Sequence, residues 1–187
     1  VGLGNIEYVL NTLVIDCAQA TKRWDILVLP GVEITHVPKE DIDLVARTAK
    51  EMGAKIVAVH GETVVEPVEP GTNEAAVRSS SVDILAHPGL ISLDVARLAA
   101  ERGGYLEVSA RKSHAYANGH VAKVAKEAGA SLVLDSDAHE PDDLLTQEFM
   151  LKVAKGAGLD DDEIHALLQL NPRDLLEKLG FGPELAD

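Results

Sequence analysis

The sequence predicts an α/β domain, built either as a barrel or as an open doubly wound sheet. Three observations carry that prediction. Short apolar runs alternate with amphipathic stretches from one end of the chain to the other. The runs are nearly continuous in apolar residues, as in parallel strands covered by helices. Each run stops at Gly, Pro or a polar cluster, as buried strands do.

Taken in order, the first helix is predicted over Asn5 to Lys22, with Ile6, Val9, Leu10, Leu13 and Val14 on one face. The run Ile26-Leu27-Val28-Leu29 reads as the first strand and stops at Pro30-Gly31. A helix over Lys39 to Met52 places Ile42, Val45, Ala46 and Ala49 on one face and ends at Gly53. Lys55 to Val59 is the second strand, stopping at His60-Gly61. A short helix spans Asn73 to Arg78. Val82 to Ala86 is the third strand, stopping at His87-Pro88-Gly89. Ser92 is a good N-cap for a helix over Leu93 to Arg102, which Gly103-Gly104 ends. Tyr105 to Val108 is the fourth strand. Asn118 to Ala128 is helical, then Leu132 to Leu134 is the fifth strand, stopping at Asp135-Ser136-Asp137. Helices over Pro141 to Ala154, Asp160 to Leu168 and Pro172 to Leu179 complete the chain, with Asn171 read as the cap of the last. The acidic, Pro-containing connection from Glu62 to Gly71 is the one long loop.

The 187 residues are the length of one domain, read here as 1–187. Apolar residues make up 46% and aromatics 3%, so the core is aliphatic and the chain is no disordered acidic tail. Lys and Arg number 17 against 31 Asp and Glu, a net charge of −14. That balance opposes non-specific nucleic-acid binding, which uses basic side chains to displace counterions. It equally opposes an anionic membrane surface. No apolar run has the length of a membrane span, and no basic-then-apolar leader opens the chain, so a cytoplasmic protein is expected. A lone cysteine, Cys17, excludes an internal disulfide framework.

The strand ends carry the chemistry. The strands are followed by Glu33, His60, His87, and the pair Asp137 and His139. In a parallel barrel the C-terminal strand ends share one mouth, where catalytic residues gather. Imidazoles with carboxylates suit Zn, Mn or Fe. Adjacent ions of this kind activate water and clamp a phosphoryl group. Gly31, Gly61 and Gly89 stand beside these residues and would let backbone approach closely. Arg111 and Lys112 follow the fourth strand and read as phosphate contacts or as salt-bridge partners of nearby acids. His36 reads as a surface loop residue near the mouth. His114 and His120 flank a loop that also faces it, and His165 reads as surface or packing.

The motifs Pro30-Gly31-Val32-Glu33, Val59-His60-Gly61, Leu85-Ala86-His87-Pro88-Gly89 and Asp135-Ser136-Asp137-Ala138-His139 resemble the later motifs of the PHP (polymerase and histidinol phosphatase) family, and among its members the archaeal and bacterial histidinol-phosphatase-like proteins. The resemblance implies a distorted TIM-like (βα)7 barrel, up to three Zn, Mn or Fe ions, and hydrolysis of a small phosphomonoester. It implies that Glu33 bridges two metals, that His60 and His87 complete one of them, and that Asp137 and His139 serve the others. It places Arg111, loosely, at the substrate phosphate. The family's opening His-x-His strand and Asp-His pair have no counterpart here. The chain is therefore expected to lack the first one or two barrel strands and to form one metal site well. A partner chain or a second copy would then cover an exposed strand edge. The rival reading is a catalytically impaired scaffold or binding domain. A metal-dependent amidohydrolase is disfavoured because no Lys sits at a strand end.

Overall fold

The structure is a computed structural model describing residues 1–182. Five parallel strands form one sheet: β1 (Gly31–Ile34), β2 (Ile56–His60), β3 (Ile84–Ala86), β4 (Tyr105–Ser109) and β5 (Ser131–Asp135). They lie side by side in chain order, β1-β2-β3-β4-β5. The helices are α1 (Ile6–Arg23), α2 (Ile42–Glu51), α3 (Thr72–Arg78), α4 (Leu93–Arg102), α5 (Asn118–Ala128), α6 (Gln147–Gly156), α7 (Asp161–His165) and α8 (Asn171–Lys178). One π turn, Ala166–Leu170, joins the last two. Among the described residues no helix is long and apolar enough to cross a membrane.

The α/β class stands, but the (βα)7 barrel does not. The sheet has five strands, and β1 and β5 are separate edges that do not pair with each other. The physical reason is that successive βα units look alike in either architecture. Closure depends on strand tilt, stagger and edge pairing, none of which is a local property.

The first strand also lies later than predicted. Ile26–Leu29 precedes the point where pairing with β2 begins, at Gly31 opposite Ile56. The Pro30 carbonyl accepts the first bond, from the Lys55 amide (2.7 Å). Val28 instead donates to Thr21 Oγ1 (2.8 Å). The prediction placed the strand on the most apolar run, whereas β2 sets where a partner exists.

The period of two along each strand divides the sheet into two unlike faces. Val32, Ile34, Val57, Val59, Leu85, Leu106, Val108 and Leu132 point into the main core. There they meet Ile42, Val45, Ala46 and Ala49 of α2, Ala96 and Ala99 of α4, and Val121 and Ala125 of α5. Ile42 and Val45 are almost wholly buried, each stabilising the fold by roughly 1.5–3 kcal/mol. The opposite face is apolar only at its N-terminal half, where Ile84, Tyr105 and Val133 pack on Leu175 of α8. Toward its C-terminal end this face carries Glu33, His60, Glu107, Ser109 and Asp135, of which Ser109 and Asp135 are direct partners across β4 and β5.

Several helix ends form as the sequence suggests. Ser92 Oγ accepts from Val95 N, and Gly103 ends α4 in the left-handed conformation. Asn171 differs: it is the first residue of α8 and donates to the Leu132 carbonyl (2.6 Å), tying α8 to β5.

Candidate metal centre

Glu33, His60 and His87 arrive at one point from three adjacent strands. Glu33 is the third residue of β1, His60 the last of β2, and His87 follows β3. Glu33 Oε1 lies 2.9 Å from His60 Nδ1. His87 Nε2 lies 2.9 Å from the same His60 nitrogen and 3.7 Å from Glu33 Oε1. Three donor atoms thus face one another at the spacing of a metal's ligand set.

Backbone geometry supports this convergence. His36, His87 and Asp137 are the three non-glycine residues with positive φ among those described, at 55°, 29° and 45°. Such conformations cost energy and persist where surrounding contacts enforce them. Two glycines allow the loops after β2 and β3 to touch. A Cβ on Gly89 would lie 1.9 Å from the Glu62 carbonyl, and one on Gly61 2.5 Å from the Ala86 carbonyl. Asn73 clamps the same loops, accepting from Glu62 N (2.9 Å) and donating to the Pro88 carbonyl (2.8 Å).

A second group adjoins the first. His87, His114 and Asp137 also present donor atoms within reach of one ion. His114 is buried, with Nε2 3.6 Å from Asp137 Oδ2 and Nδ1 2.9 Å from Thr63 Oγ1. The sequence alone assigns His114 no ligand role. The one available signal was its place in the loop after β4, which faces the same end of the sheet.

The other predicted site residues lie further out. His139 has a side chain 60% exposed and belongs to neither group. Its Nδ1 meets the Arg111 guanidinium and the Asp137 carbonyl. Arg111 is half-buried and lies along Asp137, with Nη1 3.0 Å from its carbonyl and Nε 3.5 Å from Oδ2. Lys112 is exposed. His36 is exposed, 6.1 Å from His60 between ring centres. His120 bonds the Ile91 carbonyl (2.8 Å) and is structural, and His165 lies on the surface.

The charges of the cluster are set by burial and by each other. Burial opposes charge on both Glu33 and His60, but their mutual hydrogen bond and attraction prevail. The Glu33 carboxyl is held below its usual range and the His60 imidazole above its own. Burial, and then the nearby His60 charge, lower His87. Burial, and then His87, lower His114. Beneath them lies a pair of buried carboxyl groups. Burial pushes Glu107 up, and burial with the neighbouring Glu107 pushes Asp135 up to about 9. Glu107 Oε1 has no hydrogen-bond partner.

The donor set suits a borderline divalent cation. Two imidazole nitrogens and a carboxylate oxygen are typical of Zn, Mn or Fe sites, and a carboxylate-rich cage for Mg or Ca is not what is built here.

No protein-family model matches the chain. It is 43% identical over 176 residues to the uncharacterized protein MJ1295 of Methanocaldococcus jannaschii, covering 94% of this chain and 81% of that protein. It is 32% identical over 152 residues to the probable phosphatase Teth514_1060 of Thermoanaerobacter sp., and 31% over 133 residues to the probable phosphatase Shewana3_2794 of Shewanella sp.. These matches cover 72% and 60% of this chain, and the chain spans 62% and 50% of those proteins' lengths. Its fold is similar to that of a chain in the cryo-EM structure of archaeal ribonuclease P with mature tRNA. The TM-score is 0.71 at 19% identity, covering 91% of this chain and 77% of that one. That likeness is one of fold.

Proposed function

The chain belongs to the family of MJ1295, and we propose that within it the protein is a metal-dependent phosphoesterase acting on a small phosphomonoester. The observation that carries this reading is the convergence of Glu33 Oε1, His60 Nδ1 and His87 Nε2 at the C-terminal end of the sheet. The naming of relatives as probable phosphatases supports the reaction class.

Glu33, His60 and His87 would hold one divalent ion, and Asp137 with His114 would stand beside it. When bound, such an ion supplies Lewis acidity toward a phosphoryl oxygen and lowers the pKa of water. The protein's own groups do the rest. Lowered basicity keeps His87 and His114 neutral near pH 7, so each offers a lone pair and not a repelling charge. Glu33 brings a negative charge to a site that His60 shares. Arg111, held against Asp137, presents its guanidinium at the rim, where its planar fork matches a phosphate. His139 would serve there as an outer contact or ligand.

The fold likeness to a ribonuclease P chain does not bring RNA binding with it. A net charge of −14 repels a phosphate backbone, and ribonuclease P's association with tRNA is a property of that assembly. The test is metal analysis of protein purified without chelator, followed by turnover of an aryl phosphate with added Mn or Zn. Metal-dependent turnover that Glu33→Ala abolishes is expected. Absence of bound metal, with no gain on adding either ion, would overturn the proposal in favour of a non-catalytic scaffold.

A further inference from the structure

We propose that Glu107 is a positioning residue, which decides the nitrogen that His87 presents to the metal; this rests on the metal-site reading above. Glu107 lies inside β4 and is 1% exposed. Its strand neighbours Leu106 and Val108 are wholly buried apolar residues. A carboxyl group in such a place is costly unless its bonds require it.

The bonds of Oε2 go to one residue, while the Asp135 and Ser109 side chains lie beside the same carboxyl group. Glu107 Oε2 accepts from the His87 backbone N (2.6 Å) and lies 3.0 Å from His87 Nδ1. A neutral imidazole has one N–H. With that hydrogen at Nδ1 on the Glu107 oxygen, Nε2 keeps its lone pair. Nε2 is the atom facing His60 Nδ1 and Glu33 Oε1. The same carboxyl oxygen also holds the backbone amide of a residue whose φ is +29°. One oxygen thus fixes both the ring's tautomer and the strained backbone that aims it. The other oxygen, Oε1, is buried without a partner. Metal-binding histidines are commonly oriented in this way by an acceptor on the far nitrogen, and losing that acceptor weakens binding about 10–100-fold.

The experiment compares wild type with Glu107→Leu, which removes the acceptor, and Glu107→Gln, which can keep an oxygen at the same place. Nitrogen-15 NMR of the metal-free proteins, with the His87 signal assigned by its loss in His87→Gln, reads the tautomer. Titration with Zn then reads affinity. His87 in wild type and Glu107→Gln should carry its hydrogen on Nδ1. Glu107→Leu should lose that preference and bind Zn about 10–100-fold more weakly, with Glu107→Gln close to wild type. A wild-type His87 protonated on Nε2 would overturn the inference, whether or not Glu107→Leu folds. So would a folded Glu107→Leu protein with unchanged tautomer and affinity. If wild type binds no metal, the phosphoesterase reading falls, while the tautomer still decides the role of Glu107.

Discussion

His87 and His114 stack face to face, their ring centres 4.0 Å apart and their planes 14° from parallel. Two imidazolium ions could not share that arrangement without repulsion. Burial already disfavours charge on both, and each is lowered further by a neighbouring histidine. The stack is therefore a pair of neutral rings at neutral pH. It joins the two groups of donor atoms, since His87 belongs to both. With Nδ1 of His87 directed at Glu107, its Nε2 is the one lone pair both groups can draw on.

From this sharing, His114→Ala and His87→Ala should differ. His114→Ala leaves Glu33, His60 and His87 in place and should retain one tightly bound Zn or Mn, at a stability cost of about 1 kcal/mol for the lost stack. His87→Ala should abolish tight binding. Equilibrium dialysis with metal analysis checks both, and loss of the tight ion in His114→Ala would contradict the assignment.

Glu33→Gln keeps the side chain's size and removes its charge. Metal affinity should fall about 100-fold or more, because a ligand is lost and not just its support. In the metal-free protein the His60 imidazole should titrate at lower pH than in wild type. The carboxylate charge that raises it is gone and an amide oxygen is a weaker acceptor, while the burial that lowers it remains. Proton NMR of the histidine ring signals measures the shift, and an unmoved His60 would show that Glu33 does not govern it.

Asp135 makes stability depend on pH. A carboxyl pushed up to about 9 in the folded protein, against about 3.9 in an unfolded chain, binds a proton on folding between those values. Stability should therefore fall as pH rises across that window. Asp135→Asn removes the titration and can donate to the Glu107 oxygen. Relative to that variant, the melting temperature of metal-free wild type should decline steadily between pH 5 and pH 9. Parallel pH profiles would refute the assignment.

Gly89 and Gly129 both have positive φ, at 61° and 71°, but only Gly89 is crowded. Ala at Gly129 meets open space and should cost about 1 kcal/mol, the backbone penalty alone. Ala at Gly89 collides with the Glu62 carbonyl and should cost about 3 kcal/mol or more, with weakened metal binding. Urea unfolding of the two variants separates the contributions, and equal losses would rule out the close approach as the cause.

Arg111→Met should raise KM for an aryl phosphate about tenfold with little change in kcat, if the guanidinium binds phosphate alike in ground and transition states. An unchanged KM would leave Arg111 as a structural partner of Asp137 and His139.

Much of this site could be read from the sequence because its members stand where apolar strands stop. His60 and His87 are conspicuous after Val59 and Ala86, Asp137 closely follows β5, and Glu33 lies one residue before the end of β1. His114 was not legible as a donor because a flexible-looking loop, with no periodicity, brings it under His87. Glu107 was hidden for the opposite reason: it lies within a strand, where one acid among Tyr, Leu and Val reads as an ordinary half-exposed position. The open sheet was not legible because closure is decided between the first and last strands, far apart in the chain.

The two-faced sheet sets what kinds of change the protein can absorb. Exchanging one aliphatic residue for another beneath the helices costs packing energy and leaves the donors where they are. Gaining or losing one residue within β2 would instead carry His60 into the oily layer and turn Val59 toward the ions. The site is thus inherited as a count along each strand. Length change has to be confined to the connections outside the strands, and the Glu62–Gly71 loop is the longest place for it beside the site.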